Sequence, residues 1–352
     1  MTMLEIRDLE VHYHTEDGDV HAVDGVNLTV RENQTIGLVG ESGCGKSTLA
    51  KSLIRLLASN GEIVEGSVTL DGTEITELSL KELNKNIRWT EISMIPQNAM
   101  NALDPVQTVG DQIVEVILAH ESDTSKRDAR NRAKDLFEKL GIDENRIDDY
   151  PHQFSGGMAQ RAIMGLALAL SPTIILADEP TTALDVVIQD RILRVIKDLQ
   201  DELGSAMILI THDMSVVSER CDDIAVMYGG RIVEYADAET IIKAPRHPYT
   251  LGLRNSFPDI TEDSQNLISI PGAPPDLIDP DEGCKFAPRC PFAEDECWDV
   301  TPESREFDDG HFVKCHRADE AELLQREASK RDTWLDGTDE SAEPATPEDV
   351  DD

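Results

Sequence analysis

The sequence predicts an α/β protein built on a mainly parallel sheet, and three features predict it. Short apolar runs such as Thr35 to Val39, Ile174 to Ala177 and Ala206 to Ile210 alternate with segments of helical period. A glycine-rich turn, Gly40 to Ser47, lies directly between the first of these runs and a helical segment. Apolar residues make up 39% of the 352 and are clustered, so a packed core can form although only 4% are aromatic.

In chain order, Leu4 to Tyr13 and Ala22 to Val30 alternate in the manner of half-exposed antiparallel strands. Thr35 to Val39 reads as a buried strand and Lys46 to Leu57 as the helix after it. Ile92 to Ile95, Ile174 to Ala177, Ala206 to Ile210 and Ile224 to Met227 are further short strands, and Tyr228-Gly229-Gly230-Arg231 is a hairpin turn. The interval from about 98 to 172 is mostly helical and polar and reads as an inserted lobe. After Pro245 prolines and cysteines become dense, and over 332–352 an Asp, Glu, Pro, Thr and Ser composition with little to bury predicts a disordered acidic tail.

Seventy Asp and Glu against 32 Lys and Arg give a formal net charge of −38. Such a surface repels phosphate backbones, which argues against nucleic acid as a partner. The acid surplus runs through the body of the chain, as in proteins of salt-loving archaea. In molar salt the Debye length falls to about 3 Å and carboxylates cease to repel one another. The expectation is a halophilic protein that needs salt to stay folded; an ordinary acidic bacterial protein is the plain alternative. The longest apolar stretch, Ala162 to Ala177, is broken by Ser171, Pro172 and Thr173, and no basic-then-apolar pattern opens the chain. A soluble cytosolic protein with neither membrane span nor secretory signal is therefore expected.

Gly40-Glu41-Ser42-Gly43-Cys44-Gly45-Lys46-Ser47 fits GxxxxGK[ST] in the strand-then-helix context that gives the pattern meaning. Its glycines let backbone N–H groups turn inward around phosphates, the helix presents its positive end, Lys46 reaches the outer phosphates and Ser47 can ligate Mg²⁺. Ser42, Gly43, Cys44, Gly45, Lys46, Ser47 and Thr48 are the expected ATP contacts, Cys44 as a space-filler. Ile174 to Ala177 leads into Asp178 and Glu179, an apolar strand ending in two acids. Asp178 is placed to hold Mg²⁺ through water and Glu179 to orient the attacking water. Gln97 and His212 also follow strand ends, the first able to bridge metal and water, the second to meet the γ-phosphate. Tyr13 is a candidate to stack on adenine, with a packed strand tyrosine as the plain reading. Ser155-Gly156-Gly157 opens a helix expected to run to Leu170 and forms a second phosphate cradle, unless Ser155 simply caps that helix. One triphosphate does not need two cradles, so the second is read as serving nucleotide on another subunit.

These segments, with Ala183-Leu184-Asp185 and Thr211-His212-Asp213, stand in the order and spacing of ABC transporter ATPase subunits, which the chain resembles over about Met1 to Ala244. Phe154-Ser155-Gly156-Gly157-Met158-Ala159-Gln160-Arg161, with Met where the commoner signature has Gln, is similar to the ATP-binding subunits of oligopeptide and dipeptide importers. Arg246-His247-Pro248-Tyr249-Thr250 and the cysteine-bearing extension share that likeness. The resemblance implies a P-loop NTPase nucleotide-binding domain over 1–245, with a RecA-like core, an antiparallel β-subdomain and an inserted helical subdomain. An importer-type extension over 246–331 would follow. It further implies that Ser47, Gln97 and Asp178 hold Mg²⁺, and that Ser155, Gly156, Gly157, Met158 and Gln160 face ATP on a partner's P-loop. Asp185 would communicate between the two sites. The implied partners are a second ATPase subunit, identical or paralogous, two transmembrane permease subunits and, indirectly, an extracellular substrate-binding protein. The implied place is the cytoplasmic face of the membrane, and the implied cargo is peptide, with nickel or oligosaccharide as alternatives. The rival class, a soluble ABC ATPase acting on nucleic acid or ribosomes, adds a coiled coil, zinc modules or a second cassette and needs basic surface, none of which is visible. A pure scaffold is disfavoured because every hydrolytic position is filled.

Cys284, Cys290, Cys297 and Cys315 are spaced C-x5-C-x6-C-x17-C. Paired C-x2-4-C knuckles of zinc sites are missing, whereas a Cys₄ [4Fe–4S] cluster tolerates irregular spacing. Iron–sulfur, zinc and free buried thiols all stay open, and the importer resemblance favours the cluster. Cys221 stands apart as a core residue.

Overall fold

The computed structural model describes residues 2–97, 102–181, 186–256, 269–307 and 310–335. Asn98 and the Ala183-Leu184-Asp185 segment lie outside the described residues, as do 336–352. Two sheets organise the molecule. One is antiparallel in the order β2-β1-β4-β5, from β1 (Thr2–Thr15), β2 (Gly18–Arg31), β4 (Gly61–Leu70) and β5 (Thr73–Glu74).

The other has eight strands, β11-β12-β10-β9-β3-β8-β7-β6. Its parallel part comprises β3 (Thr35–Val39), β6 (Ile92–Ile95), β7 (Ile174–Asp178), β8 (Ala206–Thr211) and β9 (Asp223–Tyr228). β3, β7, β8 and β9 are buried at every position, which is why they read as unbroken apolar runs and not as alternations. Ile36, Leu38, Ile174, Leu176, Ile208 and Ile210 face a core shared with the antiparallel sheet. Ile175, Ala177, Met207 and Leu209 face the opposite core, shared with helices.

β10 (Arg231–Asp237) follows β9 through the expected hairpin, with Gly229 and Gly230 at φ 54° and 82°. The sheet then continues into the C-terminal region, where β12 (His311–Val313) pairs with β10 and β11 (Arg305–Phe307) pairs with β12. Buried Glu234 of β10 fastens this junction, accepting from the Arg246 and His247 N–H groups at 2.5 and 3.1 Å, with His311 Nε2 2.8 Å away.

The helix after β3, α1 (Lys46–Leu53), ends a turn earlier than expected. Arg55 takes a left-handed φ of 48° and Leu56 N bonds back to Lys51 O at 2.8 Å, a Schellman-type stop that no glycine announces. After α2 (Leu80–Asn86), the helical lobe contains α3 (Val109–His120) and α4 (Lys126–Lys139), joined on one core by α5 (Gly156–Ala167). α6 (Val186–Leu203) follows β7, and α5 stops at Ala167, short of Leu170. Among the described residues no helix is long and apolar enough to cross a membrane.

The tail expectation needs correction at its start. Arg331–Trp334 form a 3-10 turn after α7 (Ala321–Ala328); Trp334 is 2% exposed and donates from Nε1 to Ala328 O at 2.9 Å. One buried indole holds what composition reads as disordered.

Candidate functional site

β3 ends at Val39 and the chain turns sharply into the phosphate loop. A Cβ on Gly40 (φ 157°) would lie 2.1 Å from Met227 O, and one on Gly45 (φ 105°) 2.0 Å from Ala22 O, so glycine alone fits between the flanking strands. Gly45 caps α1 with no side-chain bond and no acid stands in the first turn. The helix N–H groups are thus left for an anion. Buried Lys46 lies across the loop, donating from Nζ to Gly40 O and Glu41 O at 2.8 Å each. Ser42 and Gly43 are exposed, while Cys44 is buried and its thiol pushed up by that burial, in keeping with filling space. Tyr13 approaches α1, its hydroxyl 3.4 Å from Thr48 Oγ1, with its ring against Gly61.

The end of β7, separated from β3 by β8, brings both acids to this loop. Ser47 donates to Asp178 Oδ1 at 2.9 Å. Burial raises the Asp178 carboxyl against the opposing pull of the Ser47 hydrogen bond. At Glu179 the backbone turns left-handed, φ 44°, which costs about 1–3 kcal/mol for a non-glycine residue, while its N–H still donates to Ile210 O at 2.9 Å. Its carboxylate is met from both sides. Gln97 Nε2 donates to Oε2 at 2.8 Å, and His212 Nδ1 lies 3.3 Å from Oε1. Gln97, Glu179 and His212 follow β6, β7 and β8, and so converge from three neighbouring parallel strands at their carboxyl ends.

The second cradle stands apart. Ser155 is the N-cap of α5 but makes no side-chain cap bond, and Ser155 and Gly156 are exposed. Gly157 and Met158 are half-buried, and Met158 Sδ accepts from Arg146 Nη1 at 3.2 Å. Gln160 is 5% exposed, and among the described residues its Nε2 has no hydrogen-bond partner, so it lies within the fold and not on the cradle's surface. Among the described residues no hydrogen bond joins 155–160 to 40–48.

The sequence reading gave no role to two residues that hold the loop from behind, nor to the loop acid that they hold. Arg289 donates to both carboxylate oxygens of Glu41, at 2.5 and 2.9 Å, and Glu41 N–H donates to Tyr249 Oη at 2.8 Å. An acid inside a phosphate loop was the available signal, since a carboxylate there calls for a cation.

Cys284, Cys290, Cys297 and Cys315 are free thiols lining one small apolar cavity with His247, Phe286 and Phe292. Burial pushes the Cys284 and Cys290 thiols up, and Cys315 up to about 12. Among the described residues no group of three or more His, Cys, Asp or Glu is disposed to hold a metal ion. That finding bears equally on the zinc and the iron–sulfur readings, since either would gather the four thiolates around one centre. Cys221 packs against Gly37 as a core residue.

Residues 23–182 match the family model described as ABC transporter, and 233–297 match that of the oligopeptide/dipeptide transporter C-terminal region. The dipeptide transport ATP-binding protein DppD of Lactococcus lactis is 46% identical over 89% of this chain and 90% of its own length. The oligopeptide transport ATP-binding protein OppD of Escherichia coli is 43% identical over 92% and 95%. A solved dimer of the ATP-binding cassette MJ0796, bound to ADP and Pi, superposes with a TM-score of 0.61 at 29% identity, covering 67% of this chain and 99% of that one.

Proposed function

The chain belongs to the ATP-binding subunits of ABC transporters, in the oligopeptide and dipeptide importer family, and from that premise we propose how its residues divide the work. It is the ATP-binding subunit of a dipeptide or oligopeptide importer, an ATPase whose hydrolysis is coupled to import. The observation that carries the catalytic reading is the convergence of Gln97 and His212 on Glu179, beside the Ser47–Asp178 pair.

In this reading Lys46 and the loop N–H groups of 42–48 hold the phosphates and Tyr13 faces the adenine. Ser47, Asp178 and Gln97 would hold Mg²⁺, which would supply positive charge to the phosphates. Glu179 orients a water and takes its proton as the water oxygen bonds to the γ-phosphorus. The bond to the bridging oxygen breaks and its electron pair leaves with ADP. His212 steadies the γ-phosphoryl group from the neighbouring strand end. Ser155, Gly156 and Gly157, backed by Met158 and by Gln160 from inside, close over the phosphate loop of a second ATPase subunit, identical or paralogous. Asp185 links the two sites. Closing and reopening of that pair moves two transmembrane permease subunits on the cytoplasmic face of the membrane, and an external binding protein with those permeases selects the peptide.

Glu179→Gln should bind ATP, slow turnover by about 10²-fold or more and accumulate an ATP-bound dimer on gel filtration. Undiminished turnover would remove the assigned role. Co-purification with permease subunits from detergent extracts separates this reading from a soluble ABC ATPase.

The four cysteines form the second part of the proposal, a [4Fe–4S] site. Its support is that four free thiols share one cavity. A cluster would supply a covalent tie among the segments bearing Cys284, Cys290, Cys297 and Cys315. Protein purified anaerobically should contain iron and sulfide; a colourless, iron-free, fully folded protein rejects the cluster. The acid surplus fits a protein that works in concentrated salt.

A further inference from the structure

We propose that the C-terminal region is a clamp on the phosphate loop, with Arg289 and Tyr249 as positioning residues that fix Glu41 and thereby set the loop for nucleotide. This deepens the ATP-site reading above and rests on it.

Every polar group of Glu41 is engaged. Its carboxylate takes the two-pronged fork of Arg289, its N–H goes to Tyr249 Oη, and its carbonyl accepts from Lys46 Nζ. Two of these three restraints come from beyond Ala244. Arg289 is itself anchored, 8% exposed and donating to Pro271 O at 2.7 Å and to Tyr228 Oη at 3.3 Å. Tyr249 is fully buried against Tyr228 and Phe286, with ring centroids 4.5 and 5.4 Å away. The clamp residues are therefore more deeply buried than the exposed tip of the loop, Ser42 and Gly43.

The charge logic agrees with the geometry. A carboxylate at Glu41 stands beside the place where a triphosphate binds, and bare it would repel the ligand. Arg289 cancels that charge and, by forking, also fixes its direction. The solved cassette that is matched over 99% of its own length covers only 67% of this chain, so a cassette is complete without the remaining third. The clamp is thus an addition to the cassette. Arg289 directly precedes Cys290, so any rearrangement of the thiol cavity reaches the phosphate loop through one peptide unit.

The test uses the full-length chain, a fluorescent ATP analogue for binding, Mg-ATP turnover and thermal melts. Arg289→Gln should raise the nucleotide Kd and KM about tenfold while kcat stays within about twofold, the size expected for a lost charge-assisted bond. Arg289→Lys keeps charge but loses the fork and should fall between, and it carries the test should Arg289→Gln unfold. Adding Glu41→Gln to Arg289→Gln removes the bare carboxylate and should recover most of the affinity, a rescue that a purely structural role would not give. Wild-type KM in both Arg289 variants, or no recovery in the double variant, overturns the clamp. Nucleotide affinity unaffected by Lys46→Ala would instead sink the ATP-site reading beneath it.

Discussion

Asp24 serves two cations at once, Lys285 Nζ at 2.5 Å and Arg231 Nε at 3.0 Å, and so ties β2 to the C-terminal region. Burial works against its charge, yet the two cations hold the carboxyl below its ordinary range. Lys285 is pushed down instead, because burial dominates there and Arg231 competes for the same counter-ion. For a carboxyl depressed by folding, the stabilisation is fully present above the unfolded pKa near 4 and is lost as pH falls through the depressed value. Asp24→Asn should cost about 3 kcal/mol at pH 7, since it leaves two partly buried cations facing each other. That difference from wild type should shrink below pH 4. Urea unfolding at pH 7 and pH 3 measures both, and an unchanged midpoint at pH 7 would show that the pair contributes nothing. Asp178, Glu179, Gln97 and His212 were legible in the sequence because the ends of apolar strands mark them. Asp24 was not, because its Lys285 partner lies 261 residues along the chain and no local pattern marks that acid as paired; Glu41 carried the signal of an acid inside a phosphate loop but not the identity of its cation, 248 residues away.

The start of α5 separates two meanings of one residue type. Ser79, Thr108 and Ser125, which begin α2, α3 and α4, each accept from a helical N–H, whereas Ser155 does not. Removing an engaged cap costs about 1 kcal/mol. Ser125→Ala should lose that much, while Ser155→Ala should stay within about 0.5 kcal/mol of wild type and yet slow ATP turnover of the assembled transporter. Equal destabilisation by the two would return Ser155 to the role of an ordinary cap. The parallel strands could be read residue by residue because burial on both faces demands apolar side chains throughout. β4 escaped notice: four of its ten positions are exposed and only two are buried, and its pairing with β1 fixes it more than its own pattern does. β12 is only three residues long, too short for any period to show.

At the scale of the whole molecule the −38 charge acts on every element together. Raising salt from 0.1 M to 1 M shortens the Debye length from about 10 Å to about 3 Å, so repulsion between surface carboxylates fades while contacts of buried pairs persist. The melting temperature should therefore climb steadily with potassium chloride over that range, and a flat profile would mean that the surplus acids are too dispersed to matter. The same region that bears on the phosphate loop also completes the large sheet, with Glu234 facing Val313 and Tyr235 facing Phe312 across β10 and β12. Shearing the chain after Ala244 would consequently strip β10 of β12, one of its two neighbours, and orphan the acid at its centre. The stump would offer a raw ladder of amides to any other stump it met, a recipe for filaments and inclusion bodies. The final third cannot be trimmed like a fusion tag or grafted from one relative to another without the strand that receives it.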